Sequence, residues 1–328
     1  ADGRPAVRGP IVGGVHPYPE EKTPEATLTD HAAHWLRHYR AIRRPFFLRV
    51  SYLAPHAPVL CPRSWYDHYA DVHFPWDRPS EAVLASRPHF ERSGRLHLAT
   101  LSPDDYHSHN DEQKQRMRQA YYGLVSHIDN QIARLMVQLE ELGELENTLI
   151  VFSSDHGDLQ GEYAQFQKSV FYDITTRVPC LLAGPGVPRG ERREHLTEAV
   201  GIGPTLLRLC DLPVPDQFQG REWLNDKPVT EVIGEILHPY PDETVRRSWI
   251  RTDRWSLDFT SELNGIPTTT PEERDGKLID LQNDPLGHEN LFTAPAHRAT
   301  VKALIETFRR RTANDRRPVQ IRRRPGRR

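Results

Sequence analysis

The sequence predicts an α/β fold built on a sheet with crossover helices, with a smaller antiparallel sheet and a closing helix after it. Three observations carry that reading. Two short, almost continuous apolar runs, Phe46–Leu53 and Thr148–Ser153, have the composition of strands buried on both faces. Between them runs one long helical stripe, so the order strand, helix, strand suggests right-handed crossovers. After about residue 225 the composition shifts, and shorter strand-like pieces follow at even spacing.

Each element has a local reason. Residues 1–24 are rich in Gly and Pro and read as loop. Thr29 or Asp30 is placed to cap a helix that runs to about Tyr39, with Ala33, Trp35 and Leu36 on its buried side. Arg43-Arg44-Pro45 stops it. The run Phe46–Leu53 follows as a strand and breaks at Ala54-Pro55-His56-Ala57-Pro58. Residues 59–110 are irregular; a loop that long is functional or disordered. From Asp111 the residues Tyr121, Leu124, Val125, Ile128, Ile132, Leu135, Met136, Leu139 and Leu142 recur in steps of three and four, and Gly143 sits where the helix should end. A third apolar run, Arg177–Ala183, is closed by Gly184-Pro185-Gly186, and Pro204 opens a short helix over 203–211. Strand pieces at 229–233, 247–251, 254–259 and 277–281 suggest the small antiparallel sheet. A last helix fits 295–312, with Val301, Leu304, Ile305 and Phe308 on one side. This divides the chain into an α/β part over 1–225, a C-terminal α+β subdomain over 226–313 and a basic tail over 314–328.

Composition sets bounds. A chain of 328 residues is one large domain or two modest ones, and 37% hydrophobic residues make a lean core. The 28 Pro against 20 Gly favour fixed turns over long regular elements. No run approaches the roughly 20 apolar residues of a membrane span. The net charge of −2 argues against a nucleic-acid protein. Residues 309–328 nevertheless hold ten Arg against the single acid Asp315, which reads as a solvated tail or as a hook for an anionic partner. Cys61, Cys180 and Cys210 make no disulfide framework, and the last two lie in apolar runs and read as buried small hydrophobes. The sequence begins at Ala1 without a signal-peptide pattern, and the compartment is not legible.

The sharpest chemical feature is Ser153-Ser154-Asp155-His156-Gly157-Asp158, directly after a predicted strand. Ligands bind at the carboxyl ends of strands in open α/β sheets. Asp155 offers hard oxygens and His156 a ring nitrogen, so the pair is suited to a divalent cation; the plainer reading is a polar turn with Asp155 as a cap. Lys168 follows twelve residues after His156. Alone it reads as a surface charge, and beside a metal as a clamp for an anionic oxygen. His56 is held between two prolines and, alone, reads as a loop histidine.

Taken together the chain resembles the sulfatase family of the alkaline phosphatase-like superfamily, from about Thr29 to Phe308. The resemblance rests on Arg44-Pro45-Phe46-Phe47-Leu48, Tyr52-Leu53-Ala54-Pro55-His56-Ala57-Pro58, Tyr121-Tyr122-Gly123-Leu124-Val125-Ser126-His127-Ile128-Asp129 and Asn147–Gly157. It continues in Arg177-Val178-Pro179, Pro204-Thr205-Leu206-Leu207 and a closing stretch of Leu278-Ile279-Asp280-Leu281, Asp284-Pro285 and Glu289-Asn290-Leu291. It implies an alkaline phosphatase-like sheet sandwiched by helices and a metal-dependent hydrolase of small-molecule or carbohydrate sulfate esters. It implies that Asp155 and His156 are ligands of a divalent cation, usually calcium. By the same resemblance Lys168 binds sulfate oxygens and His56 contacts sulfate near the leaving group.

Two family features are not found. No Cys, Ser or Thr here sits in the Cys/Ser-x-Pro-x-Arg motif that becomes formylglycine. Cys61-Pro62-Arg63 has its proline one place early, and Ser86-Arg87-Pro88-His89-Phe90 lacks the arginine. The early Asp-Asp pair is also missing: Asp104-Asp105 follows no strand and reads as a helix cap. In the family's order both belong ahead of Ala1, so formylglycine is expected only in that amino-terminal segment, and the chain alone is expected to be inactive. A phosphonate or phosphate ester hydrolase of the same superfamily, or a truncated form that binds without turnover, are the alternative readings.

Overall fold

In the computed structural model the strand β1 (Gly13–Val15) pairs in parallel with β2 (Val59–Cys61), and the helix α1 (Pro24–Ile42) lies between them in sequence. Parallel neighbours need such a crossover. The structure describes residues 13–42, 44–75, 79–88, 91, 110–225, 229–239, 244–269 and 275–313. These fall into two units, one of Ala1–Leu84 with Glu91–Glu191 and one of Ala85–Phe90 with Arg192–Arg328. The predicted basic tail at 314–328 and the Asp104-Asp105 pair lie outside the described residues.

Helix α1 starts earlier than its sequence suggests. Pro24 suits the first helical position, and the Thr23 hydroxyl accepts a hydrogen bond from Ala26 N at 3.3 Å, so Thr23 is the cap. Thr29 is instead a buried interior residue. Its Oγ1 donates to Glu25 O at 2.8 Å and lies 2.9 Å from the Tyr52 hydroxyl. Ala26, Thr29, Ala32 and Leu36 form the buried face.

The run Phe46–Leu53 forms no strand and no ladder among the described residues, and Phe47 is 80% exposed. That corrects the expectation of a strand buried on both faces. The apolar composition is right for a sheet centre, but no flanking strand covers it here.

Two short helices, α2 (Arg63–Asp67) and α3 (Glu81–Ser86), precede the long helix α4 (Asp111–Glu141). Asn110 opens α4 with a capping box: its side chain accepts from Gln113 N at 2.9 Å, and Gln113 Oε1 accepts from Asn110 N at 2.8 Å. Gly143, at φ +67°, follows its end as predicted. The buried stripe of α4 is more polar than its pattern suggests. Met117, Ala120, Leu124, Ile128 and Leu139 are joined by His127, Gln131 and Gln138, while Val125 is exposed. His127 is tolerated there because Nε2 lies 3.2 Å from Thr23 Oγ1 and Nδ1 lies 3.4 Å from Glu20 Oε1. Met117, Ala120 and Leu124 pack with Val59 and Cys61 into one core. Burial there pushes the Cys61 thiol up to about 12, so it is an inert core group.

Strand β3 (Ile150–Ser153) leads to the short pair β4 (Leu159–Gln160) and β5 (Phe166–Gln167), then to α5 (Asp173–Thr176) and β6 (Cys180–Ala183). β3 and β6 pair antiparallel, with Ile150 opposite Ala183. Cys180 is exposed because β6 has only β3 beside it among the described residues. Cys210 is exposed because it sits at the carboxyl cap of α6 (Ile202–Leu209). Both correct the expectation of buried cysteines.

The second unit holds the antiparallel sheet foreseen in sequence. It comprises β7 (Glu231–Pro239), β8 (Thr244–Thr252), β9 (Trp255–Leu263), β10 (Ile266–Pro267) and β11 (Gly276–Asp280). The order is β10-β9-β8-β7, with β11 also on β9. Helix α7 (Arg298–Thr312) lays Val301, Leu304, Ile305 and Phe308 against Ile250, Leu257, Phe259 and Leu278. The rings of Phe259 and Phe308 meet edge to face at 5.7 Å.

Candidate active site

The end of β3 is organised by its own short side chains. Ser154 Oγ donates to His156 O at 3.1 Å, and Asp155 Oδ1 accepts from His156 N at 2.9 Å. The backbone can turn there only because residue 157 is glycine. Gly157 N donates to Thr175 O at 2.8 Å, and a Cβ at Gly157 would lie 2.0 Å from Ile174 O. Asp155 is 84% exposed in its side chain, and its Oδ2 lies 3.5 Å from His156 Nε2. Its slight burial works to raise its pKa, but His156 and the hydrogen bonds to Oδ1 outweigh that and hold Asp155 below the usual carboxylate range.

His156 Nδ1 lies 2.9 Å from Gly157 O. A carbonyl only accepts, so Nδ1 carries the proton and the neutral ring keeps its lone pair on Nε2, the nitrogen beside Asp155. Metal-binding histidines are commonly oriented by such a bond to a backbone carbonyl. The donor chemistry of Asp155 and His156 therefore fits two positions of a divalent cation site. No group of three or more His, Cys, Asp or Glu suited to a metal gathers among the described residues.

The chain then folds back on itself. Asp158 leads into β4, Gly161 (φ +108°), Tyr163 (φ +55°) and Ala164 (φ +50°) make the reversal, and β5 returns to Lys168. Burial pushes the Asp158 carboxyl up to about 7, against the pull of the Lys168 ammonium and of the Gln160 amide, which donates to Asp158 Oδ2 at 2.7 Å. Because Leu159 pairs with Gln167, Lys168 leaves β5 opposite Asp158, the residue that enters β4.

Arg118 of α4, 5% exposed, fixes this hairpin. Its Nε donates to Gln160 O at 2.8 Å, Nη1 to Pro75 O at 2.8 Å and Nη2 to Glu162 Oε1 at 2.7 Å. Tyr163 stacks on Tyr172 at 3.8 Å, and Tyr172 OH donates to Glu91 Oε2 at 2.9 Å. Sequence reasoning missed Asp158, Arg118 and Glu162. Asp158 closes the quoted motif but carried no assigned role, with only Leu159 to hint at burial, and Arg118 looked like one more charge on a helix rich in them.

His56 is exposed on the turn after the run Phe46–Leu53, where His56 N donates to Leu53 O at 3.1 Å. Its Nδ1 lies 2.8 Å from Ala57 O, which by the same logic leaves Nε2 as the acceptor. The peptide bonds Ala54-Pro55 and Ala57-Pro58 on either side are cis. Ala54 and Ala57 pack against the core that contains Val59 and Cys61, and the same core contains Ala164 and Phe166 of the hairpin. The loop of His56 and the hairpin of Lys168 are therefore seated on one packing centre.

The family model described as Sulfatase matches residues 6–212, and one described as N-sulphoglucosamine sulphohydrolase, C-terminal, matches residues 161–314. An arylsulfatase of Clostridium perfringens is 32% identical over 207 residues, which is 62% of this chain and 41% of its own length. The chain spans about half the length of the curated relatives it matches. Among solved structures, the phosphonate monoester hydrolase SpPMH from Silicibacter pomeroyi superposes with a TM-score of 0.77 at 24% identity, over 96% of this chain and 63% of that one. A second, solved in complex with its substrate D-glucosamine-2-N,6-O-disulfate, gives 0.69 at 20% identity, over 90% and 71%. Those two likenesses show the alkaline phosphatase-like fold. No described helix is long and apolar enough to cross a membrane.

Proposed function

The chain belongs to the sulfatase family, and on that premise we propose that it carries part of the active site of a metal-dependent sulfate ester hydrolase. The observation that supports this most is the β4–β5 pairing of Leu159 with Gln167, which returns Lys168 opposite Asp158, two residues after His156. Asp155 and His156 Nε2 would hold a divalent cation, calcium by family resemblance. Such a cation, when bound, would neutralise the anionic group under attack. Lys168 would hold a sulfate oxygen as a point charge, and His56 Nε2 would lie near the leaving group. The nucleophile, expected as formylglycine, and the remaining ligands would come from sequence beyond residues 1–328, so these residues alone would not turn over ester. A carbohydrate sulfate is the favoured substrate class, in line with the sulfated sugar held by one structural neighbour. A phosphonate monoester is the second reading, favoured by the likeness to SpPMH.

The test uses the protein product that contains these residues, assayed on an aryl sulfate and on an aryl phosphonate monoester, with metal content measured alongside. Asp155→Asn should lose metal and turnover together, whereas a helix or turn cap would tolerate the change. Lys168→Ala should keep the metal and lose about 2.7–4 kcal/mol of transition-state stabilisation, as for other donors to a developing anion. Full metal occupancy with near-normal turnover in Asp155→Asn would remove the site reading, and faster cleavage of the phosphonate would transfer the assignment to that ester.

A further inference from the structure

The second unit holds a recess of about 260 Å³ between the segment that enters α6 and the segment that follows Gly220. Its fixed wall is the indole of Trp223, which is 6% exposed. Trp223 Nε1 donates to Glu198 O at 2.8 Å and Trp223 N to Thr205 Oγ1 at 2.8 Å, so the ring is held in place. Gly201 lets the two segments come this close: a Cβ there would lie 2.2 Å from Arg221 O and 2.8 Å from Trp223 Nε1. Leu196 and Val229 add apolar wall. The charges around the recess are not balanced. Glu198 Oε1 accepts from Ile233 N at 3.0 Å, and its Oε2 from Arg311 Nη2 at 3.1 Å. Glu222 Oε1 accepts from Arg208 Nε and Nη2, both at 3.2 Å. Both acids are therefore already matched. Arg221 is exposed and His195 half-buried, and neither side chain has a hydrogen-bond or ion-pair partner among the described residues. What the recess has left to offer a ligand is a guanidinium, an imidazole and an apolar wall.

We propose that this recess is a binding site for a small organic anion, a single ring that carries one carboxylate. Size selects the ring. An apolar cavity of about 150 Å³ takes a benzene molecule, so this one has room for a ring and one substituent, while pockets for larger ligands begin near about 300 Å³. Charge selects the carboxylate. The planar N–H fork of Arg221 matches the two carboxylate oxygens, and His195 can add a ring N–H. A cationic ligand would meet Arg221 with no free acid to hold it. A bare inorganic anion would leave Trp223, Leu196 and Val229 without a partner. The residues proposed for ester cleavage belong to the first unit, so this site does not depend on the hydrolase reading.

Titration of the protein with benzoate tests this, followed at the indole N–H resonance of Trp223, which is identified by its loss in Trp223→Phe. Saturable binding is expected, at least about tenfold tighter than for neutral benzyl alcohol or for acetate, because a charged hydrogen-bonded contact and the ring each add to it. Arg221→Ala should leave the thermal midpoint of the free protein unchanged, since Arg221 has no partner to lose, and should weaken benzoate by about tenfold or more. His195→Ala should weaken it by less. Lys168→Ala should leave it as it is. Any one of four results overturns the proposal. The Trp223 resonance does not move up to about 10 mM benzoate, a range that reaches very weak ligands. Benzyl alcohol binds as well as benzoate, which makes the recess a plain apolar crevice. Acetate binds as well as benzoate, which makes Arg221 a surface charge open to any anion. Arg221→Ala binds benzoate as the parent does. Ester cleavage enters none of these readouts, so the loss of either proposal leaves the other to be judged by itself.

Discussion

The sheet β7–β11 and the pair β3–β6 are built from similar apolar residues, yet they stand on different footings. In the first, Ile250, Leu257 and Leu278 are fully buried because α7 presents Val301, Leu304, Ile305 and Phe308 to them. In the second, no residue of β3 or β6 is buried, and Leu181 lies open. A β-strand gains its stability from what its faces and edges touch, so the same composition is self-sufficient in one place and dependent in the other. The residues proposed for chemistry lie on the dependent side, at the end of β3 and on the loop after the unpaired run. Their rigidity has to come from local contacts: the turn at Gly157 and the Arg118 clamp.

The largest effect that separates the two sheets is a cavity. Phe259→Ala removes a ring packed on Phe308 and should destabilise the protein by about 3–5 kcal/mol in denaturant unfolding. Leu181→Ala, in β6, should stay within about 0.5 kcal/mol in the 328-residue chain. Equal losses at the two positions would erase the contrast.

Next comes the clamp. Arg118→Gln leaves Glu162 without its cationic partner and frees the hairpin that returns Lys168, and should cost about 3 kcal/mol. In a double-mutant cycle with Glu162→Gln the two changes should fall well short of additivity. Simple additivity would mean that Arg118 acts through packing alone and that the hairpin is held some other way.

A smaller, pH-dependent effect belongs to Asp158. Its carboxyl is pushed up to about 7 by burial, above the usual value of about 3.9, so ionising it costs the folded state. The folded form binds its proton more tightly than the unfolded chain does. Stability linked to this group is present in full below about pH 4 and lost as pH rises toward 7. Asp158→Asn should therefore be the more stable protein above pH 7, with the gap closing toward pH 4. A gap that stays constant across that range would show that Asp158 does not titrate differently on folding.

These contrasts also explain what could be read in the sequence. The C-terminal sheet and α7 were legible because burial is local there: Val301, Leu304, Ile305 and Phe308 repeat at helical spacing and meet strands close in sequence. The β3 strand end was legible as a motif, Ser153–Gly157, because the turn is closed by its own side chains and by a required glycine. Helix α1 was misplaced at its start because Thr23 and Thr29 are equally good caps by type, and only Tyr52, far along the chain, makes Thr29 an interior residue. The run Phe46–Leu53 was read as buried because apolar composition signals a sheet centre whether or not its neighbours are in hand. Arg118 was invisible because its carbonyl and carboxylate partners lie more than forty residues away.

The smallest expected effect lies at the edge of the stable sheet and asks how far its robustness extends to acid. Asp280 ends β11 and is held by Arg254 through Nε at 3.1 Å from Oδ1 and Nη2 at 2.7 Å from Oδ2, with Asn283 Nδ2 donating to Oδ2 at 2.9 Å. Arg254 lies over the Trp255 ring at 4.6 Å, which steadies the guanidinium. The hydrogen bond from Arg254 is the main cause that holds the Asp280 carboxyl down at about 2, below the ordinary value of about 3.9. For a carboxylate depressed on folding, the unfolded chain binds the proton more tightly. Its contribution is then complete above about pH 4 and is lost as pH falls through about 2. Because half of the Arg254 side chain is in water, salt should weaken the effect. Asp280→Asn should lower the thermal midpoint slightly at pH 6, and the parent and variant curves should converge as pH is brought from 4 to 2. Curves that remain parallel through that window, or a gap indifferent to added salt, would show that Asp280 holds the turn by shape and not by charge. The acid sensitivity of the sheet would then have to be sought in its buried Arg247, Asp258 and Lys277.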